Sequence, residues 1–348
     1  MDGRSYFERP RYGVRAIVAA VLGVAVVVAL VLGYLGTRYR SSAPVGPIDK
    51  VSIALPPVPH ASLLYIAAAK GYFADEGLEV AMIPAVHGKA ALELVVEGEA
   101  DLGTASEVVF VLAASKDRGL AIAANMLSSG NDVAVVARRD RGIASARDLA
   151  GRRIGLTLGT SGEYFLWALF IRHKLRLDSV TLVNVPPGEF EKSIAAGTVD
   201  AIVTWEPNVY KAQLALGENA VTIYEPLAYT ETFNIIGRRE FLKEHPRTVE
   251  KLLRAILRSE QFNRSEPDEA LNLVAERLKI DLKTMKRSST NLNFQVDLLQ
   301  SQLITLEEQS QWAMARGYAE RGPIPNYLPN LYVDALLAVR PERVMVAR

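Results

Sequence analysis

The chain has 348 residues, of which 49% are hydrophobic and 23% charged, and its formal net charge is +1. That length allows two domains of ordinary size, and the near-neutral charge excludes the basic surface on which nucleic-acid binding depends. The sequence contains no cysteine, which excludes disulfides, thiolate metal sites, thiol nucleophiles and lipid anchoring through cysteine.

The N-terminal region contains the run AIVAAVLGVAVVVALVLGYL at 16–35, which has no charged residue. A helix of about 20 apolar residues crosses the bilayer core, and Arg38 and Arg40 follow the run rather than a small-residue cleavage site. We therefore expect an uncleaved transmembrane anchor, with a cleaved signal peptide as the alternative. The arginine excess in 1–15 predicts that this tail is cytoplasmic. Residues 36–50 would be a linker to a membrane-anchored, extracytoplasmic domain on the periplasmic side of the inner membrane.

From Val51 onward, short apolar runs alternate with runs of helical spacing. VSIAL, LEVAMI, DLGTA and LAIAANM predict strands, and SLLYIAAAKGYF, KAALELVVEGE and EVVFVLAASKDRG predict the helices between them. A second series with the same alternation of strand and helix patterns runs from RIGLTL to AVTIYE. The alternation predicts an α/β fold of parallel sheets covered by helices. From Arg238 the pattern predicts mainly helices, including one over DLLQSQLITLEEQSQWAMARGY.

Two segments, EGEADLGTASEV and AGTVDAIVTWEP, repeat one pattern: Gly98 and Asp101 correspond to Gly197 and Asp200. In each, glycine ends a helix, aspartate forms a turn, and a strand brings polar residues to its C-terminal end. The glycine and aspartate are also the ordinary cap and turn residues of any β–α–β unit. The strand ends are candidate ligand contacts, because ligands of such sheets bind there. These contacts are Thr104, Ser106 and Glu107 in the first segment, and Thr204, Trp205 and Glu206 in the second.

The segment LGTSGEYFL places Thr160 and Ser161 where a strand gives way to a helix. Free backbone N–H groups and the helix dipole make such a start suited to an anion. The same spacing predicts a capping box between Thr160 and Glu163. Both interpretations stay open and are compatible.

Two loops of the first series add further candidates. LPPVPHASLLY is a stiff loop in which Pro59, His60 and Ser62 precede or open a helix, and His87 lies in the loop after LEVAMI. The four histidines lack zinc-ligand spacing, and the sequence shows neither a nucleophile–base pair nor a Walker motif. We therefore predict no metal, cofactor or catalytic residue. Glu107, Glu163 and Glu206 fit an acid–base pair or a polar ligand contact equally well.

Six segments in order resemble one family: AAAKGYFADEGLEV, EGEADLG, DLAGRRIGLTLGTSGEYFL, AGTVDAIVTWEPNVYKA, FNIIGRREFLKEHPRTVEKLLRA and LLAVRPERV. The chain resembles the periplasmic substrate-binding proteins of nitrate, sulfonate and taurine ABC transporters, which are related to those for thiamine-pyrimidine precursors. The resemblance implies a two-lobed, type II venus-flytrap fold, with lobe 1 at 51–137 and 232–348 and lobe 2 at 138–231. It also implies a ligand between the lobes, with Asn234 as a hinge-side contact.

The resemblance implies that the chain is the solute-binding component of an ABC importer and delivers its ligand to a permease and ATPase. Glu107 and Glu206, if both faced the ligand, would repel a bare anion such as nitrate, so a small organic anion or zwitterion is expected. One alternative is a tethered sensor ectodomain. Another is an enzyme of the pyrimidine-precursor or menaquinone type on the same scaffold, although we expect no enzymatic activity.

Overall fold

The computed structural model of the chain describes residues 47–116, 119–226 and 228–347. The predicted tail at 1–15 and the predicted membrane anchor at 16–35 lie outside these residues. No helix within the described residues combines the length and the apolar character that a membrane crossing requires.

The described residues form two β-sheets, a large sheet of seven strands and a small sheet of five. In the large sheet, the parallel strands β1, β2 and β3 are joined by antiparallel strands from later in the chain. Its strands, from one edge to the other, are β12 (Val344–Met345), β11 (Asn293–Leu299), β4 (Leu120–Ser129), β10 (Glu231–Arg238), β3 (Leu102–Ser106), β1 (Asp49–Leu55) and β2 (Leu78–Pro84).

The small sheet repeats this plan. The second strand from one edge pairs in parallel with both of its neighbours, and two antiparallel pairings follow toward the other edge. Its strands in spatial order are β7 (Thr181–Asn184), β6 (Arg153–Leu156), β8 (Ala201–Thr204), β5 (Ala134–Arg138) and β9 (Ala220–Ile223). The chain therefore passes between the sheets at 130–133 and returns at 224–230.

Helices follow most of the parallel strands, and most of the chain after β10 is helical. In chain order, the helices are α1 (Ser62–Ala69), α2 (Tyr72–Asp75), α3 (Gly88–Glu97), α4 (Glu107–Ala114), α5 (Ser161–Arg172), α6 (Phe190–Ala195), α7 (Asn208–Leu216), α8 (Arg239–Glu244), α9 (Pro246–Ser265), α10 (Pro267–Leu278), α11 (Leu282–Ser289), α12 (Gln300–Arg316) and α13 (Asp334–Val339).

Two sequence predictions need correction. The sheets are mixed rather than parallel, because β5 pairs antiparallel with β8 and β10 pairs antiparallel with β3. The predicted long helix over DLLQSQLITLEEQSQWAMARGY begins only at Gln300, since the preceding residues belong to β11. Strand β5 begins at Ala134, four residues before the start that we predict for lobe 2, and the lobe boundaries stay predictions.

The repeated Gly–Asp pattern has the same structural role in both sheets. Gly98 and Gly197 have φ values of +82° and +69°, which glycine adopts without strain at a helix end. Asp101 Oδ2 accepts hydrogen bonds from Ser52 N at 2.8 Å and Ser52 Oγ at 2.7 Å, and Asp200 Oδ2 accepts one from Arg153 N at 2.9 Å. Asp101 thus ties β1 to the turn before β3, and Asp200 ties β6 to the turn before β8.

The hydrophobic core is continuous across the two sheets. One face of the small sheet, including Val135, Ile154 and Val203, packs into the same buried cluster as the strands of the large sheet. Its other face forms a separate small cluster around Val136 and Phe190. Burial of apolar area at about 25 cal/mol per Å² makes these faces the main source of stability.

Candidate functional site

A pocket of about 270 Å³ lies between the two sheets. It contains polar, aromatic and charged side chains in a mostly apolar wall. The residues that line it are Pro56, Pro57, Val58, His60, Val86, His87, Gly88, Lys89, Ser106, Val109, Thr160, Ser161, Pro187, Gly188, Trp205, Pro207, Asn208, Lys211, Glu231 and Phe233.

The wall of the pocket is built from the C-terminal ends of parallel strands in both sheets. Residues 56–58, His60 and 86–89 follow β1 and β2, and Ser106 ends β3, while 187–188 and Trp205 follow β7 and β8. Crevices outside the carboxyl ends of strands are the usual ligand sites of α/β sheets. The two-sheet plan therefore brings distant parts of the chain to one concave surface.

Some of the predicted contacts line this pocket and others do not. Those on its surface are His60, His87, Ser106, Thr160, Ser161 and Trp205. Those away from its surface are Pro59, Ser62, Thr104, Glu107, Thr204, Glu206 and Asn234.

Glu107 lies behind the pocket, where it holds the second connection between the sheets. Its Oε1 accepts hydrogen bonds from Tyr229 Oη at 2.5 Å and Gln309 Nε2 at 2.9 Å. Its Oε2 accepts from Thr232 N at 2.7 Å and Thr232 Oγ1 at 2.9 Å. Burial raises the pKa of Glu107 above its usual range, although these hydrogen bonds oppose the shift. With its lone pairs directed at protein donors, Glu107 has a structural role.

Glu206 also faces protein rather than the pocket. Its Oε2 accepts a hydrogen bond from Tyr210 N at 3.2 Å and lies 3.4 Å from Ser288 Oγ, so it links β8 to α11. Burial, and next the negative charge of Asp132, raise the pKa of Glu206 to about 7.

Most of the remaining residues away from the pocket surface are fixed within the large sheet. Ser62 Oγ donates to Pro59 O at 2.5 Å, and Thr104 is fully buried within β3. Asn234 Oδ1 accepts from Gln302 Nε2 at 2.6 Å, and its amide donates back to the Thr232 hydroxyl. These contacts position the strands whose ends carry the pocket residues.

The turn before α5 does not form the predicted capping box. Thr160 is the N-cap residue, but its Oγ1 donates to Thr157 O at 2.7 Å, away from the helix. Glu163 Oε2 accepts from Gly159 N at 2.8 Å rather than from Thr160 N. The Thr160 side chain therefore does not cap the first N–H groups of α5. Thr160 and Ser161, which form this turn, line the pocket.

The buried end of the pocket carries a cluster of His60, Asp132 and Glu231, here called the HDE cluster. His60 Nε2 lies 2.8 Å from Asp132 Oδ2 and 3.9 Å from Glu231 Oε2. All three residues are at most 4% exposed, and the His60 ring packs on Phe233 with centroids 5.3 Å apart. Burial, and next the charge of Asp132, raise the pKa of Glu231 well above its usual range.

The rest of the pocket surface offers hydrogen-bond donors and positive charge. His87 is the N-cap of α3, where its Nδ1 accepts from Ala90 N at 3.1 Å, so its neutral ring carries the proton on Nε2. Burial lowers the pKa of His87, which favours this neutral form. Lys89 on α3 and Lys211 on α7 both line the pocket.

Sequence reasoning missed Glu231 on the pocket surface and Asp132, which contacts the pocket residue His60 from behind. They lie in or next to the two connections between the sheets, so no strand-end pattern marks them. Lys89 had a sequence signal, because it opens the predicted helix KAALELVVEGE two residues after the candidate His87. Lys211 and Asn208 follow the predicted Trp205 and Glu206 by less than two helical turns and were overlooked.

Comparison with known proteins gives three informative similarities. The formylaminopyrimidine-binding protein of Halalkalibacterium halodurans is 26% identical over 234 residues, 65% of this chain and 70% of that protein. The 4-amino-5-hydroxymethyl-2-methylpyrimidine phosphate synthase THI12 of Saccharomyces cerevisiae is 23% identical over 320 residues, 85% of this chain and 90% of that enzyme. The solved structure of the alkanesulfonate-binding protein SsuA of Xanthomonas axonopodis pv. citri, bound to MOPS, superposes on this chain with a TM-score of 0.71 at 15% sequence identity. The superposition covers 82% of this chain and 99% of SsuA.

These similarities agree with the observed architecture. The superposition confirms the α/β periplasmic-binding-protein fold that the resemblance implied. The family model described as NMT1/THI5 like matches residues 58–270, more than half of the chain and most of the pocket wall. The chain therefore belongs to the NMT1/THI5-like family.

Proposed function

We propose that the chain is the solute-binding component of an ABC importer, which captures a small organic solute between its two sheets and delivers it to a permease. One observation carries the proposal: the pocket wall is shared between the sheets, so a bound solute contacts both. A solute that bridges two halves favours their closed arrangement, and closure by hinge motion is a signal that a permease can read.

The charges of the pocket favour a small zwitterion within the predicted class of organic anions and zwitterions. Glu231 is the acidic residue on its surface, and Lys89 and Lys211 are the basic ones. An ammonium group of the solute would pair with Glu231, while a sulfonate or carboxylate group would face a lysine and the uncapped N–H groups of α5. A bare anion such as nitrate would leave the buried carboxylate without a partner, which is costly.

The place of the chain in a transport system follows from the same proposal. The permease and ATPase would be its protein partners, and an extracytoplasmic domain tethered by 16–35 would present the solute at the membrane. A tethered sensor would use the same pocket but a different partner.

A thermal-shift screen of the full-length chain in mild detergent tests the proposal. The compounds are taurine, alkyl sulfonates, nitrate, carboxylates and pyrimidine precursors. A solute that binds the folded state alone raises the melting temperature as its concentration rises. We expect the largest shift with a zwitterion, a smaller shift in Lys211→Met, and no change in Lys192→Met, whose lysine pairs with Glu189 on the exposed surface.

Two results would contradict the proposal. The absence of any concentration-dependent shift across the panel would remove solute capture as the function. If mass spectrometry detected chemical conversion of a panel compound, the result would favour an enzyme like the synthase THI12, to which the chain is similar.

A further inference from the structure

The HDE cluster has the composition of a metal site. It brings together one imidazole nitrogen and two carboxylate groups, and one ligand atom from each lies within 4.8 Å of the others. Imidazole with carboxylates is a donor set that Zn²⁺ and related divalent transition metals accept. No sequence pattern marks this cluster, because the three residues come from the loop after β1, from the first connection and from the start of β10.

The distances within the cluster are close to those of a zinc site. Zinc bonds to nitrogen and oxygen are about 2.0–2.1 Å long, so ligand atoms in a tetrahedral site lie about 3.3 Å apart. The observed separations from His60 Nε2, 2.8 Å to Asp132 and 3.9 Å to Glu231, lie on either side of that value. Side-chain movements well below 1 Å per atom would equalise them.

The cluster also contains oxygen atoms without partners. Glu231 Oε2 and Asp132 Oδ1 are buried and accept no hydrogen bond from the residues that the structure describes. Buried polar atoms are normally paired, and leaving one unpaired costs about 1–3 kcal/mol. Within those described residues, neither carboxylate forms an ion pair with a lysine or arginine. A cation between them would satisfy both the oxygen atoms and the charge.

Access to the cluster comes through the pocket. His60 and Glu231 form part of the pocket surface, so an ion can enter from solvent and keep at least one coordination position open toward the pocket. An open position of this kind distinguishes a site that exchanges a ligand from a closed structural site. We infer that His60, Asp132 and Glu231 bind one divalent transition-metal ion, of the Zn²⁺ class, at the buried end of the pocket.

The inference is tested with ZnCl₂ on the full-length chain after chelator treatment, without any organic solute. Isothermal titration against a competing chelator measures the affinity, and elemental analysis after dialysis measures the stoichiometry. We expect one Zn²⁺ per chain, and an affinity lowered by about tenfold or more in His60→Ala and in Glu231→Gln. Glu231→Gln preserves side-chain size, and a thermal melt of each metal-free variant checks that it folds.

His173→Ala is the matched control. His173 Nε2 lies 3.1 Å from Glu225 Oε2, so the protein offers a second histidine–glutamate pair away from the pocket. We expect this variant to bind Zn²⁺ as the unmodified chain does. Co²⁺ substitution adds a spectroscopic readout, because a site with an imidazole and two carboxylates gives absorption bands that Glu231→Gln should alter.

Two results would overturn the inference: no stoichiometric Zn²⁺, or an affinity that His60→Ala and Glu231→Gln leave unchanged. Loss of binding in His173→Ala alone would move the metal to the surface pair and equally refute the pocket site. The outcome is separable from the proposed function, because the solute screen is run on metal-free protein. Solute binding without zinc binding would refute this inference alone.

Discussion

Arg316 Nη2 lies 2.8 Å from Glu163 Oε1, and this ion pair joins the end of α12 to the first turn of α5. The Glu163 side chain is fully buried and also accepts hydrogen bonds from Tyr318 Oη at 2.6 Å and Gly159 N at 2.8 Å. Glu163 therefore serves two purposes at once. It connects a helix that packs on the large sheet to one that packs on the small sheet, and it fixes the turn that presents Thr160 to the pocket.

Glu163→Ala should lower the free energy of unfolding by about 3 kcal/mol, because removing one partner of a buried pair leaves the others unpaired. Urea denaturation measures the change. The control is Asp178→Ala, which removes an ion pair with Arg176 on the exposed surface and should cost less than about 1 kcal/mol. Equal losses in the two variants would mean that the buried pair has no special role.

The aspartates of the repeated pattern, Asp101 and Asp200, should each contribute to the stability of the folded protein. Asp101→Ala leaves Ser52 N without its acceptor, and Asp200→Ala does the same for Arg153 N. Each variant should lose about 1–3 kcal/mol of unfolding free energy, the cost of an unsatisfied donor. The same urea experiment and the same Asp178→Ala control apply. If only one of the two variants lost stability, the two patterns would be alike in sequence but would differ in their contribution to the unfolding free energy.

Much of the fold was predictable because the parallel strands and their helices are local in sequence. The runs that predict β1, β2 and β3 alternate with helical spacing, and short connections leave such neighbours few arrangements. β5, β10 and β11 were not predictable in their pairing. Each lies beside a strand from a distant part of the chain, and an apolar run does not show which partner it will meet.

The residues at the pocket likewise divide into those that the sequence predicts and those that it does not. Ser106, Thr160 and Trp205 were found because the C-terminal end of a parallel strand is a position that the sequence reveals. Glu107 and Glu206 share that position but point at protein donors, and a side chain's direction depends on packing that sequence patterns do not show. The HDE cluster was missed because its members meet only after both connections between the sheets have formed.

Glu206 should make stability depend on pH. Its pKa is raised to about 7 in the folded protein from an ordinary value of 4.5, so between these pH values the folded state holds a proton that the unfolded state has released. Stability is then greatest below about pH 4.5 and falls as the pH rises to 7, by about 2–3 kcal/mol from this group.

The groups that set this shift are identifiable. Burial, and next the charge of Asp132, raise the pKa of Glu206, while the Tyr210 hydrogen bond, Arg287 and the Ser288 hydrogen bond lower it. Glu206→Gln should remove that part of the pH dependence, measured as melting temperature from pH 4.5 to 8. The variant Glu240→Gln, on α8, is a control that should leave the profile unchanged. An identical profile in Glu206→Gln would assign the dependence to another group.

Trp205 should report solute binding by fluorescence. The chain has three tryptophans; Trp312 is fully buried, whereas Trp205 lines the pocket and packs edge-on against Phe190 with centroids 6.4 Å apart. A solute that contacts the indole should change its emission. With taurine, or with the panel compound of largest thermal shift, we expect Trp205→Phe to abolish the fluorescence change and to weaken binding about tenfold, because aromatic contacts contribute about 1 kcal/mol or more.

Trp167→Phe is the matched control for this experiment. Trp167 is on α5, where it packs against Tyr164 with centroids 5.6 Å apart, and it is not part of the pocket surface. Its replacement should leave both the emission change and the affinity intact. If the emission change disappeared in Trp167→Phe and persisted in Trp205→Phe, the solute would bind outside the pocket between the sheets. Because the affinity is measured separately by titration calorimetry, loss of a reporter is distinguishable from loss of binding.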